Sequence, residues 1–565
     1  MEASRPATPT PAAGSMWKSY GNPCIDTFYY LPSDISWQKD LSASRDFHMK
    51  RLLPHAWSYS PVTTLKIIRD WGIMDLPPMC DAIYWLHHNH PKTLVANLMP
   101  LLTNYPGCSY LILISILCRI LGWKEVETSM EMIAHVEETN KVRDLYERDS
   151  DFRSLHDEIA RLFAESLKFD IQNCLKKEHD YDCDKDQPLE LTDAADFCEA
   201  SPFLVESVAK RVFPHVREVE AAVELLRNEV LDPLKKVLCI RMGDDYTAPE
   251  NCYGYINQGP GLRRDPCRKE RLPAVHKYLK DLEQSLDKMV ADAILPNELV
   301  ECVIDRNSGD VSRHVVELQW KAMVEDLKKK KKRQLSSSLA VIQTYNISSP
   351  PNLNFSELTY AMTILISELS EEEAWKGKVI SLTPDPQLLS IQGHDLKSKC
   401  EFLCDPAKML THTRREYIDC KKVFDLILQQ AVSTSLKPEQ MIRKVFVFSS
   451  FEDFERISSG SGGRWEAQDY DEMRSKYREH GYDIPEIVFW RPNAHMDMPF
   501  TDSPDERGIA AISGFYRAWW QHTWAKTHFV KMFLENDGHV SPQHLMDAIL
   551  SDKEYNYAHR FTVLD

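Results

Sequence analysis

The sequence predicts an α + α/β protein: a helical-repeat-like N-terminal domain followed by a doubly wound, mostly parallel-sheet domain. Three observations predict it. Residues 50 to 333 carry apolar side chains at three- and four-residue spacing almost throughout, the period of helices with one buried face. Beyond residue 336, short continuous apolar runs alternate with amphipathic stretches, as in a parallel sheet covered on both faces. Between the two patterns lie Lys328, Lys329, Lys330, Lys331, Lys332 and Arg333, then Ser336-Ser337-Ser338, a charged and polar break of the kind that separates domains. The expected division is a disordered leader over 1–19, helices over 20–333 and the α/β part over 334–565.

In chain order, Met1–Gly14 is rich in Pro, Ala and Thr and has no apolar core, unlike a signal peptide. Ser60-Pro61 is a capping residue followed by proline and starts a helix through Val62–Ile68. Further helices are expected over Cys80–His88, Thr93–Leu102, Met130–Leu167, Leu204–Val212, Val219–Val237 and Val315–Leu327. The run Tyr110–Leu121 holds Arg119 and is shorter than the roughly 20 apolar residues a membrane span needs, so it reads as a buried helix. Strands are expected at Leu339–Ile342, Lys378–Leu382, Val445–Phe448, Glu486–Trp490 and Ile509–Ile512. Leu358, Met362, Leu365 and Leu369 share one helical face between the first two strands, and Val423, Phe424, Ile427, Leu428 and Ala431 share another before the third. Two helices close the sequence, Trp519–Leu534, stopped by Asn536-Asp537-Gly538, and one from Ser541-Pro542.

Composition narrows the function. Over 565 residues, 43% hydrophobic and 10% aromatic content is enough for real cores, while a net charge of −17 is the wrong sign for coating nucleic acid. The 14 cysteines include no C-x-x-C pair, which reads as reduced, buried thiols of an intracellular protein and argues against zinc. No G-x-S-x-G elbow, H-E-x-x-H helix or Cys-His-Asn pattern supports hydrolase chemistry. Asp180–Asp186 imitates a calcium loop, but Lys185 replaces the required glycine and Leu191 the closing glutamate. His87, His88 and His90 crowd one helix end and read as a structural terminus.

Several segments together carry a family resemblance: Gly21–Asp26, Ala56–Ser58 leading to Thr63–Lys66, Trp85–His87 leading to His90–Leu94, Glu317–Val324, Trp375–Ile380, Leu436–Met441, Pro485–Trp490 and Phe533–Gly538. They resemble the eukaryotic and viral family known as domain of unknown function 2828, over most of residues 20–565. The resemblance implies a helical part joined to a von Willebrand factor A-like part, an architecture similar to the Ro autoantigen (TROVE) proteins, whose helical ring binds RNA. It also implies a metal-dependent adhesion site at the carboxyl ends of the strands, built from Asp-x-Ser-x-Ser, a threonine and a later aspartate. This sequence departs from that pattern. Gln343, Tyr345 and Ile347 stand at the Asp-x-Ser-x-Ser positions, Ile418 at the threonine and Ser450 at the aspartate, so no metal and no cofactor is expected.

The leading expectation is therefore a non-enzymatic interaction scaffold with protein partners, cytoplasmic and not membrane-bound. The alternative is an RNA-binding protein of TROVE-like design, using Lys328–Arg333 (also readable as a nuclear localisation signal) and the cluster around Arg263 and Arg264 beside Tyr253 and Tyr255.

Overall fold

The computed structural model describes residues 19–29, 48–102, 139–176, 202–232, 266–304, 313–330, 333–342, 353–409, 420–448, 467–490, 508–512, 530–551 and 561–565, a few single positions within these spans aside, together with 113, 116, 117 and 120. The described chain forms two compact units, one of residues 19–232 and 550–565, the other of residues 266–549.

In the first unit the helices are α1 (Pro23–Tyr29), α2 (Leu53–Tyr59), α3 (Pro61–Met74), α4 (Leu76–Asn89), α5 (Pro91–Leu102), α6 (Thr139–Arg148), α7 (Ser150–Lys176), α8 (Pro202–Val212) and α9 (Val219–Leu226). They pack largely in chain order, α2 on α3, α3 on α4, α4 on α5, α5 on α7, α7 on α8 and α8 on α9. Where it is described, the helical stretch expected over Met130–Leu167 forms two helices. Asp149 separates them because its Oδ1 accepts from the Asp151 and Phe152 amides, capping α7 and ending α6. The helix expected over Val219–Val237 changes to a π turn at Arg227–Leu231.

The second unit opens with α10 (Pro266–Gln284), α11 (Pro296–Ile304) and α12 (Arg313–Lys329), followed by the short α13 (Arg333–Ser336). The sheet comprises β1 (Ser338–Ile342), β2 (Lys378–Ser381), β3 (Gln387–Ser390), β4 (Lys444–Phe448), β5 (Glu486–Trp490) and β6 (Ile509–Ile512), in the order β3-β2-β1-β4-β5-β6. All neighbours are parallel except β2 and β3. The five strands predicted from apolar runs are all present. Strand β3 escapes prediction because it is an edge strand whose residues are exposed or half-buried, with no continuous apolar run.

Helices α14 (Leu353–Leu369), α15 (Leu396–Cys404), α16 (Cys420–Ser433) and α17 (Ala467–Glu479) follow in the unit, and α18 (Pro542–Ser551), the helix expected from Ser541-Pro542, runs to its end. On one face Leu339, Val341, Val445, Val447, Ile487 and Phe489 pack with Val423, Phe424, Ile427 and Leu428 of α16 and Met473 and Tyr477 of α17. The alternate residues, among them Phe446, Phe448 and Trp490, are buried on the other face, where Phe533 packs on Phe446 and Trp490.

Helices α10, α11 and α12, which precede the boundary expected at 333/334, belong to the second compact unit. Helices α11 and α12 both pack on α14. Trp320 of α12 is buried and its Nε1–H donates to Glu368 Oε2 at 2.9 Å, while Lys399 reaches the other oxygen at 2.6 Å. Glu317 Oε2 accepts from the Leu396 amide at the start of α15. Lys328 and Lys329 are the solvent-exposed end of a helix whose apolar face, Val315, Val316, Trp320, Met323 and Leu327, lies in the second unit.

The turn before α15 gives a direct test of this geometry. Gly393 sits at φ +134°, and a Cβ there would lie 2.8 Å from both the Lys399 nitrogen and the Ser398 carbonyl carbon. Those are backbone atoms of a capped helix and cannot move aside. Gly393→Ala is expected to cost about 2–3 kcal/mol, read as a lower urea midpoint with unchanged slope.

Candidate functional site

In a doubly wound sheet, ligands sit beyond the carboxyl ends of the strands where the chain switches direction, here between β1 and β4. The described strand ends there are apolar and buried: Ile342, Phe448 and Trp490, with the Phe448 and Trp490 rings 5.4 Å apart. The five positions at which the adhesion pattern is altered, Gln343, Tyr345, Ile347, Ile418 and Ser450, all lie outside the described residues. So do Arg263, Arg264, Lys331 and Lys332. Lys328 and Lys329 are exposed in the last turn of α12, Lys330 pairs with Asp326 at 2.6 Å, and Arg333 opens α13.

Among the described residues no group of three or more His, Cys, Asp or Glu is arranged to hold a metal ion, and no helix is long and apolar enough to cross a membrane. The three crowded histidines diverge. His87 is buried, the His88 Nδ1 lies 2.9 Å from the Tyr84 carbonyl, and His90 stacks on Trp57 with ring centroids 4.2 Å apart. Cys400, one helical turn from Cys404, has its thiol pushed far up by burial, which makes it unreactive.

Many motif residues have structural work. Trp375 donates from Nε1 to the Gln440 carbonyl at 3.2 Å, and Gln440 in turn donates to Glu372. Asp537, at φ +55°, accepts from the Leu335 amide. In the first unit, Ser60 caps α3: its Oγ accepts from the Thr63 amide at 3.4 Å and donates to the Thr63 hydroxyl at 2.8 Å.

The start of α5 is built differently. His90-Pro91 replaces Ser60-Pro61, so the helix has proline in its first turn but no side chain of its own to accept from the next amides. Asp565 fills the position. Its Oδ2 accepts from the Lys92 amide at 3.0 Å, and its Oδ1 accepts from the Thr93 amide at 3.0 Å and the Thr93 hydroxyl at 2.7 Å. The Thr93 hydroxyl also accepts from the Leu564 amide at 2.9 Å and the Asp565 amide at 3.2 Å. One turn further on, the Asn97 carboxamide brackets Thr562: Nδ2 donates to its carbonyl at 2.6 Å and Oδ1 accepts from its amide at 2.8 Å. His90, oriented by Trp57, places Nδ1 3.1 Å from the Asp565 carbonyl, to which its N–H donates.

Thr93 and Asn97 are both fully buried, and the second Asn97 amide proton is held by the Thr93 carbonyl at 2.6 Å. Partial burial opposes ionisation of the Asp565 carboxyl, but the Thr93 hydroxyl and the two helix amides outweigh it and hold the group below the usual carboxylate range. The residue is therefore charged at neutral pH, the favourable sign at a helix N-terminus. Sequence reading missed this constellation. The one available signal was a helix beginning His-Pro without a capping side chain.

The structure thus defines a chain with a helical unit and a doubly wound α/β unit. The family described as "Domain of unknown function (DUF2828)" matches residues 10–109 and 122–244, and "Domain of unknown function (DUF7788)" matches residues 335–560. The resemblance to the first family thus holds in the N-terminal region, while a separately described family matches the α/β region. The chain is similar to uncharacterised protein L728 of Acanthamoeba polyphaga mimivirus, 27% identical over 267 residues, which is 47% of this chain and 43% of the viral one. The match therefore spans less than half of the viral protein's length. No solved structure matches the chain.

Proposed function

We propose that the chain is a non-enzymatic interaction scaffold that pairs a helical unit with a von Willebrand factor A-like domain whose adhesion site has lost its metal. One conjunction carries the reading. The sheet order puts its switch point between β1 and β4. The sequence leaving those strands begins Gln343-Thr344-Tyr345-Asn346-Ile347 and Ser449-Ser450, which offers no carboxylate where a hard divalent cation would need one. A sheet edge without ion ligands retains value as a surface for protein partners.

Titration calorimetry of the full chain with Mg²⁺ and with Mn²⁺ is expected to give no binding heat, and crosslinked pull-downs are expected to recover protein rather than RNA. Hydrolysis of a phosphoester, peptide or ester that one point substitution abolishes would overturn the reading.

The exposed lysines at the end of α12 favour a second reading, RNA binding of TROVE-like design. The −17 charge and the Lys330–Asp326 pair weigh against it. Filter binding at two salt concentrations separates the two. A steep loss of RNA affinity with salt, removed by changing Lys328–Lys332 to alanine, would establish the RNA reading.

A further inference from the structure

We infer that the start of α5 is a peptide-recognition site that reads a segment carrying an aspartate side chain, and that this chain's own residues 561–565 occupy it in cis. This deepens the scaffold reading by naming one surface and the chemistry of what it holds.

Three features mark a recognition site rather than an incidental contact. First, the receiving side chains are preorganised. Thr93 and Asn97 are fully buried, Asn97 is fixed by the Thr93 carbonyl, and His90 is fixed by Trp57. The Thr93 hydroxyl and the Asn97 Nδ2 and Oδ1 all bond residues 562–565 and would lose those partners without the segment. Second, the segment is held mainly by groups any sequence offers. The amide and carbonyl of Thr562 and the amides of Leu564 and Asp565 make the backbone contacts, while the Val563 and Leu564 side chains remain 39% and 58% exposed. Third, the Asp565 carboxylate is taken by two helix amides and a hydroxyl, a set that selects a negative charge. The specificity is thus for an aspartate preceded three positions earlier by a peptide unit. A segment held through backbone bonds at an exposed surface is exchangeable, and covalent attachment keeps its local concentration high.

The probe is the fluorescently labelled peptide Phe-Thr-Val-Leu-Asp, followed by anisotropy. A chain lacking residues 561–565 is expected to bind it saturably, and the intact chain about tenfold more weakly or worse, because the site is filled. The same peptide with alanine for aspartate is expected to bind the shortened chain about tenfold more weakly. Equal binding to intact and shortened chains, or indifference to the aspartate, would overturn the site.

Should the shortened chain not fold, hydrogen exchange on the intact protein decides the same question. In Asp565→Ala the Lys92 and Thr93 amides should exchange about tenfold faster, while the Thr63 and Thr64 amides, served by Ser60, stay unchanged. Unchanged Lys92 and Thr93 exchange refutes the proposal. Protection of those two amides that rises with protein concentration would refute occupancy in cis and indicate exchange between copies. If crosslinking captures partners while the peptide fails to bind, the scaffold reading survives and this site falls. Peptide binding without captured partners leaves the site standing and removes the scaffold reading.

Discussion

Phe446→Ala is expected to lower the stability of the α/β unit by about 3–5 kcal/mol, the largest effect of any single core truncation proposed for this chain. Phe446 is fully buried in the middle of β4, with β1 and β5 on either side, so no edge lets the sheet contract around a hole. Its ring meets Phe533 edge-on at 5.5 Å, and its Cζ lies 3.5 Å from where a Cβ on Gly538 would be. That glycine is at φ +81° and its amide donates to the Phe533 carbonyl, closing the turn after the helical residues 530–535. Removing the ring therefore leaves a void lined by a second aromatic and a constrained turn, neither of which can collapse inward cheaply. Leu388→Ala in β3 is the matched comparison. Leu388 is half-buried at the sheet edge and should cost about 1 kcal/mol. Urea denaturation followed by tryptophan fluorescence measures both. A Phe446→Ala loss no larger than that of Leu388→Ala would mean that β4 is not the centre of the sheet.

The same contrast explains what was legible in the sequence. Strands β1, β2, β4 and β5 are buried on both faces, so each announces itself as a continuous apolar run between polar segments, and β6 reads as the apolar run Ile509–Ile512 although it lies at the other edge. Strand β3 needs only one partner and exposes most of its side chains, so composition carries no trace of it. The lysine run is a composition shift of a different origin. Lys328 and Lys329 stand where α12 meets solvent and where cations suit the helix carbonyls. Among the described residues, the helices through 232 belong to the first unit and those from Pro266 to the second.

The capping of α5 was illegible for a more general reason. Local rules describe caps supplied within a few residues, as Ser60 does for α3. Asp565 stands 473 positions from Lys92, and no periodicity or spacing rule links residues so far apart. What sequence holds is only the unmet need, a His-Pro start followed by two amides without an acceptor. The resemblance had picked out His90–Leu94 as a motif, and the geometry supplies its physical content. His90, Lys92 and Thr93 each contribute one atom or more to holding Asp565.

A buried histidine supplies the second large effect, and its sign follows from linkage. His156 in α7 has no solvent exposure and lies among the rings of Tyr146, Phe203 and Phe152, at centroid distances of 5.2, 5.0 and 6.1 Å. Neither ring nitrogen has a hydrogen-bond partner among the described residues. Burial lowers its pKa from 6.5 to about 4; the neighbouring Asp157 pulls it up, and Arg211, which itself pairs with Asp157, pushes it down. Between those two values the unfolded chain binds a proton that the folded chain refuses, so acid favours unfolding. The stabilisation is complete above pH 6.5, falls as pH drops toward 4, and declines no further below that, where both states are protonated. The full gap corresponds to about 3 kcal/mol. His156→Leu keeps an apolar side chain in the aromatic nest and removes the titration. Denaturant midpoints at pH 7 and pH 5 should show the native chain losing about 2 kcal/mol more than the variant over that interval. Parallel losses in the two proteins would show that His156 reaches solvent and takes up its proton in the folded state, contrary to the packing described for α7.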